Sequence, residues 1–193
     1  QLATAFFSKL LELNPDVTVN NIDLYQDPPP YISLDAYRRI YNPLTDPSYT
    51  PSKAEEAAIS YAKAQAELLC QADVLVLTMP MWAGGPPAIL KAWLDQAVQP
   101  GLAYDVGPDG VKPRHQLSKI ILLVASGDVY KEGDDRDGLT PTIRNTFGFI
   151  GVTDIEVAWA DGQDPNFHDD GTERKQAALE MAEELAEDVA AAP

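Results

Sequence analysis

Two short stretches of this chain hold the residues best placed to bind a ligand. The first, Pro80-Met81-Trp82-Ala83-Gly84-Gly85-Pro86-Pro87, follows the apolar run Val74-Leu75-Val76-Leu77. An uninterrupted run of this length suits a strand buried on both faces, and so a parallel sheet. The prolines and glycines stop that strand, while Pro86 and Pro87 suit the first turn of a following helix. The second stretch, Ser126-Gly127-Asp128-Val129-Tyr130, follows a second buried run, Ile120 to Ala125. Both loops therefore leave the carboxyl end of a strand, the edge of an open α/β sheet at which ligands bind. Metal chemistry has no comparable support. His115 and His168 are the only histidines, and no spaced Cys/His cluster exists, so no metal site is expected. The single cysteine, Cys70, excludes an internal disulfide, fits a reducing, cytoplasmic compartment, and closes an apolar helical stretch as a buried structural thiol does.

The elements that must position these loops alternate. Leu2, Phe6, Phe7, Leu10 and Leu11 recur at helical spacing until Asn14-Pro15. Val17 to Tyr25 alternates apolar with polar residues as an edge strand does. A short helix is expected over Leu34 to Tyr41, with Tyr37 and Tyr41 on one face. Ser52-Lys-Ala-Glu55 fits a capping box opening a helix to about Gln71. After the first loop, Ile89, Leu90, Trp93, Leu94 and Ala97 form one apolar helical face that ends at Pro100-Gly101. Gly107-Pro-Asp-Gly110 is a turn between short extended pieces. Lys131 to Gly138 reads as a charged, mobile loop, and Thr140-Pro141 as N-cap and first-turn proline of the next helix. Ile155 to Trp159 is the last strand, and Thr172 to about Ala191 the last helix.

The chain has 193 residues, 45% of them apolar, which suits one domain with one core. Nowhere does it approach the roughly 18 consecutive apolar residues of a membrane span. Its 30 acidic residues against 14 basic ones give a net charge of −16, which disfavours nucleic acid and anionic membranes as partners. Six of the acidic residues lie between Glu173 and Asp188, the solvated face of the final helix.

Alternating helices and buried strands predict an open, doubly wound parallel sheet of the flavodoxin-like type, with helices on both faces. Four strands are visible where five are expected. The absent one is the first, which in that topology lies between the second and third. We expect it, with its loop, in roughly 15 to 25 residues before Gln1.

Pro80-Met-Trp-Ala-Gly-Gly-Pro-Pro-Ala-Ile-Leu-Lys-Ala-Trp-Leu-Asp95 strongly resembles the signature of the flavodoxin-fold NAD(P)H quinone oxidoreductases and is similar to that of the FMN-dependent azoreductases. The resemblance continues in Gly101-Leu-Ala-Tyr104, in Ala125 to Tyr130, in Phe147-Gly-Phe-Ile-Gly-Val-Thr-Asp154 and in Ala160-Asp-Gly162. It implies a homodimer that binds FMN at the carboxyl edge of the sheet. Hydride would pass from NADH or NADPH to flavin N5, and then in a two-electron ping-pong cycle to a quinone or azo compound. No side-chain acid or base is implied. Backbone N–H groups of Pro80, Met81, Trp82, Ala83, Gly84 and Gly85, where present, would approach the flavin N5/O4 edge and stabilise charge on the reduced ring. Ser126 and Gly127 would hold the pyrimidine side, Asp128 would lie beside it, and Tyr130 or Tyr104 would stack on or cap it.

Three departures set this chain apart from those families. Trp82-Ala83-Gly84 stands where the azoreductases have Tyr-Asn-Phe, removing two ring-contacting side chains. Ala-Ser-Gly-Asp128 replaces Thr-Thr-Gly-Gly or Ser-Arg-Gly-Gly, bringing a carboxylate towards a cofactor that becomes anionic on reduction. The Ser-rich turn that holds the flavin phosphate has no counterpart from Gln1 onward. Ala83, Gly84 and Asp128 also motivate an alternative reading, a flavin-free member acting as a non-redox binding or assembly protein.

Overall fold

Ile120 to Ala125 is apolar without a break because the strand it forms is covered on both faces. In the computed structural model, which describes residues 1–131 and 133–192, this strand is the middle of a three-stranded parallel sheet. In chain order the elements are α1 (Leu2–Leu13), α2 (Leu34–Thr45), α3 (Lys53–Ala58), α4 (Ser60–Gln71), β1 (Val74–Pro80), α5 (Ala88–Ala97), β2 (Tyr104–Gly107), β3 (Gly110–Pro113), β4 (Lys119–Ala125), α6 (Thr140–Phe149), β5 (Ile155–Ala160) and α7 (Gly171–Ala191). The sheet order is β1-β4-β5, with Val74 opposite Lys119 and Ile120 opposite Ile155.

Side chains alternate across β4, and the two faces have different covers. Ile120, Leu122 and Val124 pack with Leu90, Trp93 and Leu94 of α5 and Ile143 and Phe147 of α6. Ile121 and Leu123 pack with Leu2, Phe6 and Leu10 of α1 and Ala178, Ala182 and Leu185 of α7. Helices on both faces are what the buried strands required. Trp93 is a core residue whose indole N–H donates to Gln65 at 2.8 Å. The Gly107-Pro-Asp-Gly110 turn closes the antiparallel hairpin β2-β3.

Several elements differ from their sequence expectation. Val17 to Tyr25 is not a strand. In a doubly wound sheet a second strand pairs with the first, and among the described residues β1 pairs with β4 alone. Lacking a ladder, this segment satisfies part of its backbone in turns, with Gln26 and Asp27 N–H both donating to the Asp23 carbonyl. The open side of β1 leaves Val74, Leu75 and Val76 only partly buried. The helix expected from Ser52 to Gln71 is divided at Ile59, which leaves helical geometry (φ −103°, ψ 12°) and buries itself against Ala36, Ile40 and Ala62. The Ser52–Glu55 capping box is present. α2 runs four residues beyond Tyr41 and tolerates Pro43 in its final turn.

Thr140 is not the cap of α6. The Asp137 carboxylate accepts the Leu139 and Thr140 N–H groups at 2.8 and 3.0 Å and the Thr140 hydroxyl as well. A carboxylate with two oxygens satisfies more orphan donors than a hydroxyl, and its charge complements the helix N-terminus. That anchor also ties down the end of the charged loop, where Asp137 N–H donates to Asp134 O and Gly138 N–H to Gly84 O; Glu132, within the same expected loop, lies outside the described residues.

Candidate binding site at the carboxyl edge of the sheet

Three loops leave the sheet side by side. Met81 N–H donates to Ala125 O at 2.8 Å, and Ser126 N–H to Ala160 O at 3.1 Å, which staples the loop after β1 to β4 and the loop after β4 to β5. Gln163 and Asp164 N–H groups then donate to Ser126 and Gly127, packing the third loop on the second.

The first loop is a tight reversal. Trp82 and Gly85 exchange both N–H···O bonds at 3.0 Å, and the residues between them have positive φ, 49° at Ala83 and 75° at Gly84. This is the mirror-image (type I′) hairpin turn, which suits Gly84 and strains Ala83, the only non-glycine in that region among the described residues. Its consequence is a division of donors. The amides of Met81, Trp82 and Gly85 are committed within the protein, whereas Ala83 and Gly84 N–H have no acceptor among the described residues. Trp82 lies outside the core at 58% exposure.

The second loop divides in the same way. Buried Ser126 accepts the Trp159 indole N–H and donates to the Asp128 carbonyl, both at 2.8 Å, so its hydroxyl is engaged. The amides of Gly127 and Asp128 have no acceptor among the described residues. Two open amides on each of two neighbouring loops thus face no protein partner at one edge of the sheet.

The Asp128 side chain, expected to bring unpaired negative charge, is paired. It accepts Val129 N–H at 2.8 Å, His168 Nε2 lies 3.0 Å from Oδ1, and the Arg136 guanidinium donates to Oδ2. The Val129 N–H first, then His168 and Arg136, hold its carboxyl below the usual carboxylate range. Arg136 also grips Asp134, which raises the guanidinium's own pKa. Tyr130 stacks on Trp159 with ring centroids 5.4 Å apart and lies beneath Arg136 at 5.1 Å, so the protein itself engages this ring.

Tyr104 does not join the site. It packs edge-on against Phe149 at the far end of α6, whereas the first residue of that helix follows the Gly138–Gly84 contact. Nine residues of helix separate the two ends by roughly 14 Å. His115 is half-buried beside Ile150 O, also at that end. Sequence reasoning missed Arg136, Trp159, His168 and the 80%-exposed Phe167 of the third loop. Only Trp159, ending a strand next to Ala160-Asp-Gly162, carried a local signal.

The flavin atoms N5, O4, O2 and N1 are hydrogen-bond acceptors, and the four open amides on these neighbouring loops are donors of the kind they take, with the exposed Trp82 indole on the first loop. Arg136, at this edge, is held by two carboxylates and so is not free to take the flavin phosphate. A separate groove of about 470 Å³ runs from Tyr130 along the outer edge of β5, between α6 and α7, and contains none of Pro80 to Gly85. Among the described residues no group of His, Cys, Asp and Glu could hold a metal, and no helix is long and apolar enough to cross a membrane.

A family model described as "Flavodoxin-like fold" matches residues 1–185. An FMN-dependent NADH:quinone oxidoreductase of Erythrobacter litoralis is 34% identical over 188 residues, 96% of this chain and 91% of its own. The solved structure of azoreductase AzrA superposes with a TM-score of 0.85 at 28% identity, covering 97% of this chain and 90% of that one. An azoreductase from Bacillus anthracis superposes with a TM-score of 0.83 at 27% identity, covering 97% and 89%.

Proposed function

The chain belongs to the flavodoxin-like fold family, and from that premise we propose that it is an FMN-dependent NAD(P)H reductase of quinones or azo compounds. The observation that carries this reading is the set of open amides at Ala83, Gly84, Gly127 and Asp128 along one edge of the sheet. Bound FMN supplies a two-electron carrier at N5 between the nicotinamide and the acceptor. The protein's part is electrostatic and positional. Ala83 and Gly84 would hold the N5/O4 edge by backbone hydrogen bonds, while the Gly127 and Asp128 amides, positioned by Ser126 through Trp159, would hold the N1/O2 side of the pyrimidine, where the negative charge of the reduced ring resides. The exposed Trp82 indole offers a flat apolar surface to an aromatic acceptor. No side chain has to transfer a proton.

Pairing of Asp128 with Arg136 and His168 removes the unpaired carboxylate that motivated a flavin-free reading. The protein acts as a homodimer in a reducing, cytoplasmic setting. In support, Leu34, Tyr37 and Leu44 line one exposed face of α2, and Cys70 is the sole cysteine. Purified protein should be yellow or take up FMN stoichiometrically, oxidise NADH or NADPH with a quinone or azo dye as acceptor, and elute at twice the monomer mass. Absence of both FMN uptake and FMN-supported nicotinamide oxidation would overturn the reductase assignment. A monomeric elution at micromolar concentration would overturn the dimer.

A further inference from the structure

Arg136 is 57% exposed at its side chain, yet that side chain makes four hydrogen bonds to three different residues. Its guanidinium bonds Asp128 Oδ2, the Val129 carbonyl at 3.0 Å and both carboxylate oxygens of Asp134 at 2.8 and 3.1 Å. An arginine fork is suited to hold several acceptors in fixed geometry, which a lysine cannot copy. Its own carbonyl oxygen lies only 3.3 Å from the position a Cβ on Gly84 would take, and two residues on, Gly138 N–H donates to Gly84 O at 2.7 Å. Residues 136–138 therefore join both site loops: the Gly138 amide holds the turn that presents the Ala83 and Gly84 amides, and the Arg136 side chain holds the loop that presents Gly127 and Asp128.

The charges explain why the contact matters to the chemistry. Asp128 and Asp134 face Arg136 from two sides, and His168 meets Asp128 from the third loop. Without the guanidinium, two carboxylates face one another beside open amides that are to receive an electron-rich ring.

We propose that Arg136 is a positioning residue for the flavin site: it locks the two amide-bearing loops together and neutralises Asp128, so that the bound flavin can accept negative charge on reduction. This rests on the FMN-reductase reading. Among the described residues no other Lys or Arg reaches Asp128.

The test compares wild type, Arg136→Ala, Arg136→Gln and the double variant Asp128→Asn/Arg136→Ala. Oxidised-FMN affinity is read from flavin fluorescence quenching, and the midpoint potential of bound FMN from equilibration with redox dyes. Either single variant should weaken oxidised FMN by about three- to tenfold through the loosened loops, and reduced FMN by roughly a further tenfold through the uncovered carboxylate. A tenfold difference between the two redox states lowers a two-electron potential by about 30 mV. The double variant should recover the part of that potential lost through Asp128, since the carboxylate on the amide-bearing loop is gone and only Asp134 is left uncovered. A merely structural Arg136 predicts no such recovery, because deleting a second partner cannot restore a lost brace. Failure of wild type to bind FMN overturns the reductase reading and this proposal with it. Normal binding by wild type, together with an unchanged potential in both single variants or no recovery in the double variant, overturns the role of Arg136 alone.

Discussion

Gly138→Ala is the most informative single substitution for the architecture of the site. A Cβ on Gly138 would lie 2.7 Å from the Gly84 carbonyl oxygen and 3.7 Å from its carbon. Ordinary carbon–oxygen contacts begin at about 3.3 Å, so the backbones must separate by roughly 0.6 Å. The neighbour that has to give way is backbone, not a flexible side chain, and the same movement stretches the 2.7 Å Gly138–Gly84 hydrogen bond to about 3.3 Å, past the normal N–H···O range. Overpacking costs about 1–3 kcal/mol and the lost bond about 1 kcal/mol, giving roughly 2–4 kcal/mol in all. Gly148→Ala, on the helix that Gly138 leads into, is the control: a Cβ there meets nothing within 4 Å. Helix propensity alone should make it neutral to about 1 kcal/mol stabilising. Thermal and urea unfolding should therefore move in opposite directions for two chemically identical changes, with Tm lowered by roughly 5–15 °C at position 138. The 138 variant should also lose FMN affinity, because the displaced turn carries Ala83 and Gly84. Equal stabilities for the two variants would refute the reasoning that α6 and the first loop are locked through this contact.

Other consequences can be checked in parallel. Ala83 has φ 49°, so Ala83→Gly should stabilise the protein by roughly 0.5 kcal/mol, the relief of left-handed strain outweighing the added chain entropy; a destabilised variant in urea melts would show that the turn is not strained. Burial pushes the Cys70 thiol up, with Arg114 partly offsetting it, so a thiol-specific reagent at pH 8 should label native protein at least about tenfold more slowly than unfolded protein. Equal labelling rates would place Cys70 in an open environment. The Asp128 carboxyl is depressed in the folded state, so its contribution is present above the unfolded value near 3.8 and lost as pH falls through the lower folded value. The stability difference between wild type and Asp128→Asn should be constant above about pH 5 and shrink below about pH 4. A difference that grows on acidification would contradict the pairing of Asp128 with Val129 N–H, His168 and Arg136.

What could be read from the amino-acid order follows from how local each signal is. Val74 to Leu77 and Ile120 to Ala125 announce themselves because burial on both faces excludes polar residues from the run, and the Gly/Pro loops follow because a strand cannot continue through them. Both loops, and the family they resemble, were therefore legible. The alternation at Val17 to Tyr25 misled, because it describes side chains while strand formation depends on a partner for the backbone. The break at Ile59 left no mark, since Ile59, Ala62 and Ala66 keep a helical spacing through it. The pairing of Asp128 was invisible for a different reason: Arg136 lies eight residues on and His168 forty, and no single helix or hairpin connects either of them to Asp128, so no periodic pattern marks the contact. The division of loop amides into committed and open sets is likewise a property of the folded turn. It separates Trp82 and Gly85 from Ala83 and Gly84, which composition treats alike.

The most direct measurement is an amide-resolved NMR titration with FMN of protein in which the backbone resonances have been assigned. The Ala83, Gly84, Gly127 and Asp128 N–H resonances should shift together and saturate at one FMN per chain, while the committed amides of Met81 and Ser126 respond less. Saturable shifts confined to another surface, such as the groove along β5, or no shifts at all, would contradict this placement of the flavin.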